Sequence, residues 1–153
     1  YIGAPWFERF GSHEEGNMLW AVGNGGLSLR RVDWFVKFLS CKRLYGWKEL
    51  KARYYKNNIK TLLVCVWHFL GHGQSIDFFL REFHLNEDYV YCLNATLTRL
   101  KPQIPDCLTA ARFSFERSPS YLFSLTGQMP FGCHAWEKYE YETFWKQHIP
   151  CEQ

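Results

Sequence analysis

Several short patterns in the chain combine residue types that could do chemistry. Gly23-Asn24-Gly25-Gly26 places three glycines in four residues, which lets a backbone pass very close to a ligand and adopt positive φ. The run stands between an apolar segment and a strand-like one, where a ligand-facing loop would sit; a plain β-turn is at least as good a reading. It matches neither the Walker nor the Rossmann spacing, because no G-K-S/T and no G-x-G-x-x-G follows. Glu87-Asp88 is a pair of neighbouring acids at a predicted helix start. The helix dipole favours acids there whatever their function. The chemical reading is that one carboxylate faces a cleft and takes the proton of a substrate hydroxyl.

His134 lies in Phe131-Gly132-Cys133-His134-Ala135-Trp136. A lone His is more often a surface or satisfied core residue, and neutral imidazole is also a common metal ligand. His68 and His72 are four apart, and with Cys65 they sketch a second metal site. That sketch fails on chemistry. A zinc-protease helix needs Glu directly after its first His, where this chain has Phe69, and Gly71 and Gly73 spoil the helix. The cysteines at 41, 65, 92, 107, 133 and 151 form no C-x-x-C pair. Buried free thiols are expected rather than a zinc ribbon, with a disulfide set left open by the even count. Asn94-Ala95-Thr96 is a glycosylation sequon, too common a pattern to fix a compartment.

The elements that must position these groups are drawn from 153 residues, 47% of them hydrophobic and 22% charged. That supports a sizeable core and one domain, here taken as residues 1–153, and excludes a disordered chain. Aromatic residues reach 19%, as in chains that lay aromatic faces on sugars, or simply in aromatic-rich cores. A net charge of +3 is too small for a dedicated nucleic-acid binder. The Lys and Arg around Lys48 to Lys56 read better as a solvated face. The most apolar stretch, Leu62 to Leu70, is too short for a membrane span. The chain opens without Met in the run YIGAPW, as the middle of a domain would, and an excised fragment is the simplest expectation.

Periodicity gives a short strand over Tyr1 to Trp6, a loop over Gly11 to Asn17, and strand-like alternation over Leu27-Ser28-Leu29-Arg30. Val32, Phe35, Val36 and Leu39 predict an amphipathic helix over 32–39. Gly46 to Lys56 has no clear type, and Ile59 to Leu70 is a buried strand or a buried helix. Helices are expected over Asp77 to Phe83, over Tyr89 to Leu97 with the acids in its first turn, and over Asp106 to Arg112. Phe113-Ser114-Phe115-Glu116 reads as a strand, Pro130 to His134 as a tight loop, and Trp136 to Gln147 as a closing amphipathic helix. The sum is an α/β layer fold.

The order of the patterns adds what none supplies singly. A Gly-rich loop, an acidic pair some sixty residues later and a His near the end resemble the later half of a GT-A-type glycosyltransferase domain. More closely, YIGAPW, VGNGGLSLRR, NEDYVYC, FSFE and PFGCHAW resemble the domain-of-unknown-function family 5672, from about Tyr1 to Trp136. The resemblance implies a GT-A-like mixed sheet flanked by helices. It also implies an incomplete domain lacking its N-terminal nucleotide-binding half. The metal-binding Asp-x-Asp motif of such enzymes is absent, the four aspartates being Asp33, Asp77, Asp88 and Asp106, and would lie before Tyr1.

The implied activity is sugar transfer from a nucleotide-sugar donor to a hydroxyl acceptor, which could be a glycan, a protein or a small molecule. Asp88 would be the base and Glu87 the less favoured acid, or an acceptor-binding partner. Asn24, Gly25 and Gly26 would line the donor–acceptor junction. His134 would hold a divalent cation, Mn²⁺ or Mg²⁺, on the departing diphosphate. Trp6, Trp20 and Trp136 are candidates for stacking on a sugar. The alternative is a degenerate, non-catalytic domain that binds glycans or protein. No nucleic-acid partner and no membrane span are expected.

Overall fold

The computed structural model describes residues 1–76, 80, 81 and 86–149. The helix expected over Asp77 to Phe83 lies mostly outside the described residues, as does Cys151. Two compact units form, Tyr1–Leu29 with Ile104–Gln153, and Arg30–Gln103. The α/β expectation holds: among the described residues six α-helices accompany three two-stranded ladders. None of the helices described is long and apolar enough to cross a membrane.

All three ladders belong to the first unit. Strands β1 (Ile2–Gly3) and β4 (Ser28–Leu29) pair antiparallel, as do β2 (Pro5–Phe7) and β3 (Leu19–Val22). Strands β5 (Ser114–Phe115) and β6 (Gly132–Cys133) run parallel. A parallel pair requires a crossover, and the helix Pro119–Thr126 provides it. That helix was not expected from periodicity, yet its ends carry readable signals. Pro119 stands in its first turn and Gly127 ends it at φ 67°, the usual division of labour between these residues. The helix Cys107–Phe113 starts where expected. Asp106 accepts from the Thr109 amide and hydroxyl, both at 2.8 Å, and those bonds hold its carboxyl below the usual carboxylate range. Phe7, Ala111, Phe115, Leu122, Phe144 and Trp145 form the core of this unit.

The closing helix expected over Trp136 to Gln147 is not there. Turns fill the segment, and only Trp145–Gln147 makes a 3₁₀ turn. Ala135 and Glu140 sit at φ 52° and 53°, conformations that end a right-handed helix. Tertiary packing explains the choice. Trp136 and Tyr141 both pack on the core with ring centroids 5.6 Å apart, although a five-residue spacing puts them on different sides of a helix.

The second unit is helical throughout its described elements. Helix α1 (Val32–Leu39) has the predicted bounds but buries another face. Phe38 is buried while Val32, Val36 and Leu39 are exposed, because the larger aromatic side chains win the interior. Trp34 stacks on Phe38 at 4.9 Å, Phe35 meets Tyr91 edge-on, and the Trp34 indole donates to the Leu100 carbonyl at 3.0 Å. Helix α2 (Trp47–Tyr54) packs on α3 (Ile59–Phe69). Asn58 caps α3 by accepting from the Thr61 amide at 2.9 Å. The choice between buried strand and buried helix for this stretch resolves to a helix, one that is largely exposed. Phe38, Leu44, Tyr45, Leu50, Val90 and Ala95 make the core. Buried Gln74 braces it, accepting from the Tyr45 amide at 2.8 Å and donating to the His68 carbonyl at 2.6 Å. From Glu87 the chain is helical to Leu97, passing from α to π (Val90–Asn94) to 3₁₀ (Ala95–Leu97).

Candidate functional site

The first unit brings the glycine run and His134 together. The Tyr1 hydroxyl donates to the carbonyls of Gly23 and Asn24, at 2.8 and 3.1 Å. The amides of Gly23 and Asn24 face the Ala4 carbonyl at 3.4 and 3.2 Å. Gly3 is required beneath the loop, since a Cβ there would stand 2.2 Å from the Asn24 carbonyl oxygen. Asn24 Oδ1 then accepts from the Gly26 amide at 2.9 Å, closing a tight side-chain turn. None of Gly23, Gly25 and Gly26 adopts positive φ. The reason for glycine at position 26 is therefore space rather than backbone freedom. A Cβ on Gly26 would lie 2.2 Å from both Cγ and Nδ1 of His134, so backbone and imidazole are pressed face to face.

His134 reaches this place through the parallel ladder. Its amide donates to the Phe115 carbonyl at 3.0 Å, one step beyond the Phe115–Cys133 pair. Carrying the register on by one residue sets His134 beside Glu116. His134 Nδ1 lies 3.6 Å from Glu116 Oε1, longer than a hydrogen bond. Burial pushes the Glu116 carboxyl above its ordinary range, and the charges of His134 and Arg117 pull it back. Glu116 Oε2 is buried without a hydrogen-bond partner. Glu116 was missed as a site residue by sequence reasoning. The available signal was an acid directly after an apolar strand, where alternation leaves it facing whatever lies beside that strand.

Gly26, Asn24, His134 and Glu116 thus form one feature within one unit. Among the described residues no three His, Cys, Asp or Glu side chains converge as a metal group. A cation at this place would rest on His134 and the orphaned Glu116 oxygen, with water or ligand oxygens completing its shell. Gly26→Ala should force the imidazole out of position or lower stability by about 1–3 kcal/mol. Denaturant unfolding together with the His134 ring resonances measures this. Unchanged stability with unchanged ring signals would show the contact to be absent.

The other predicted residues divide. Glu87 and Asp88 belong to the helical unit and open the Glu87–Tyr89 turn. Glu87 is exposed and accepts from Arg30 at 2.6 Å, while half-buried Asp88 accepts from the Tyr89 amide through Oδ1 at 2.8 Å. Trp136 packs on the core, and Trp6 is buried edge-on to Phe10. Trp20 is exposed and also meets Phe10 edge-on, at 5.7 Å. Neither His68 nor His72 is arranged as a ligand pair. His68 Nδ1 lies 3.0 Å from the His72 carbonyl oxygen, and the His72 ring stacks on Trp67. Cys41, Cys65, Cys107 and Cys133 carry free thiols.

Over residues 1–134 the chain matches the family described as "Protein of unknown function (DUF5672)". No curated protein and no solved structure matches it. The match spans most of the sequence, and the chain belongs to that family.

Proposed function

We propose that this member of the family is the acceptor-side and catalytic portion of a GT-A-like, metal-dependent glycosyltransferase. It would move a sugar from a nucleoside diphosphate donor to a hydroxyl acceptor. The observation that supports this reading is the packing of Gly26 on the His134 imidazole beside Glu116. A nitrogen–carboxylate pair beside a glycine-bearing loop is what the cation of a diphosphate needs from a protein.

In this reading Asn24, Gly25 and Gly26 border the donor–acceptor junction. His134 supplies a nitrogen ligand and Glu116 either shares the ion or orients the ring. A bound Mn²⁺ or Mg²⁺ supplies charge for the departing diphosphate. Asp88 accepts the acceptor's proton, while Glu87, held by Arg30, positions the turn. Of the three candidate tryptophans Trp20 is exposed and available to stack on a sugar, while Trp6 and Trp136 serve the interior.

Release of nucleoside diphosphate by the full-length protein from a panel of nucleotide sugars, with and without Mn²⁺, tests the reading. Transfer should require the ion. His134→Ala should raise the Mn²⁺ concentration needed by at least tenfold with the melting profile unchanged, since altering even an outer partner of a metal ligand costs about 10–100-fold. A Mn²⁺ titration unaffected by His134→Ala removes His134 from the site. No turnover with any donor, alongside glycan or protein binding, favours the non-catalytic alternative.

A further inference from the structure

Helix α3 presents to solvent the face that a core helix would bury. Cys65 and His68 are its buried residues, whereas Ile59, Leu63 and, just past its end, Leu70 are 66%, 61% and 65% exposed. Those three share one stripe by helical spacing, and Trp67 lies beside it. Leu63, Val64, Val66, Trp67 and Leu70 line an apolar groove of about 480 Å³.

The orientation is pinned by contacts that a rotated helix would lose. The His68 ring stacks on Tyr54 at 4.8 Å, and its carbonyl takes the buried Gln74 amide. The Cys65 thiol points at the Leu50 carbonyl, 3.6 Å away. The outward stripe is therefore a stable property of this unit. A contiguous apolar patch of this kind marks a docking surface.

Charge identifies the partner. Exposed Lys60 falls on the same face as Leu63 and Trp67, at the start of the stripe. At its other end the Arg43 guanidinium lies 3.6 Å from where a Cβ on Gly71 would stand. Over residues 30–103 the sequence has 13 Lys and Arg against 6 Asp and Glu, a formal +7. A second copy docked on this groove would bring those cations against their own kind. An anionic surface would be attracted.

We propose that α3 docks this unit on an anionic lipid surface. Its apolar stripe and Trp67 enter the boundary between headgroups and acyl chains, with Lys60 and Arg43 on headgroup phosphates. An 11-residue helix lies along such a surface and does not span it. The inference is independent of the sugar-transfer reading.

Co-sedimentation of the full chain with phosphatidylcholine vesicles, with and without phosphatidylserine, tests it. Binding should be at least about tenfold tighter with phosphatidylserine, each cation near the surface contributing about fivefold. It should also fall as salt rises. Lys60→Glu should weaken it by more than that factor, and Leu63→Ser with Leu70→Ser should abolish it while circular dichroism stays unchanged. Failure to bind either vesicle, or equal binding to both, overturns the proposal. So does a Lys60→Glu chain that binds as the unmutated one does. A dimer dissolved by the paired Ser changes, in a chain that ignores vesicles, would assign the groove to a second copy instead.

Discussion

In the full-length protein Asp88→Asn should lower the sugar-transfer rate by about 10²–10⁴-fold, the usual contribution of a positioned general base, and leave donor affinity nearly unchanged. The acceptor is an alcohol that loses its proton as it attacks, and Asn keeps the shape of Asp while losing the basic oxygen. The surroundings of the pair favour Asp88 over its neighbour. Glu87 Oε1 is engaged by Arg30 at 2.6 Å in an exposed ion pair, whereas Asp88 is half-buried and accepts from the next amide. An Asn carbonyl can accept that same bond, so the helix start should survive. Glu87→Gln should cost less, since an exposed ion pair is worth about 0–1 kcal/mol and adjacent residues on a helix face different directions. The base role belongs to a reaction that inverts the sugar carbon. Measured kcat and donor KM for the two variants decide it. Normal turnover in Asp88→Asn with a collapse in Glu87→Gln reverses the assignment, and normal turnover in both leaves the acids as a helix start only.

Trp145→Ala should destabilise the strand-bearing unit by about 3–5 kcal/mol, as deletion of a buried indole commonly does. Trp145 is buried against Phe144 and Phe115, with ring centroids 5.0 and 6.3 Å away. Phe115 directly precedes Glu116 and accepts from the His134 amide, so loosening this core loosens the nitrogen–carboxylate pair as well. On the proposed reading, Mn²⁺ binding should therefore weaken along with stability. Trp145→Phe should cost less than Ala for two reasons. It leaves a smaller cavity, and it removes an indole N–H that is buried without an acceptor. Urea unfolding followed by far-ultraviolet circular dichroism measures both variants. A Trp145→Ala protein that unfolds at the unmutated midpoint would mean the residue is not part of a packed core.

Where the chain's own neighbours within a turn or two decide, the amino-acid sequence was sufficient. Val32–Leu39 is a helix with the expected bounds, the helix at Cys107 starts behind Asp106, and Ser28–Leu29 and Ser114–Phe115 lie in the expected strands. These follow from spacing, capping and alternation, which act over about four residues. Membership of the family was legible too, because it resides in short ordered strings. Tertiary structure alone decided which face each helix buries. In α1 the aromatic pair Trp34 and Phe38 took the interior from the expected Val32, Val36 and Leu39, and in α3 the contacts of His68 and Cys65 turned Leu63 and Leu70 outward. It also decided the candidate site. Gly26 meets His134 across more than one hundred residues, and Glu116 reaches the same imidazole through the register of a parallel ladder. No local rule contains that information: a closed contact between distant segments depends on the sum of the packing around both, and the same strings with a different core would place those side chains elsewhere.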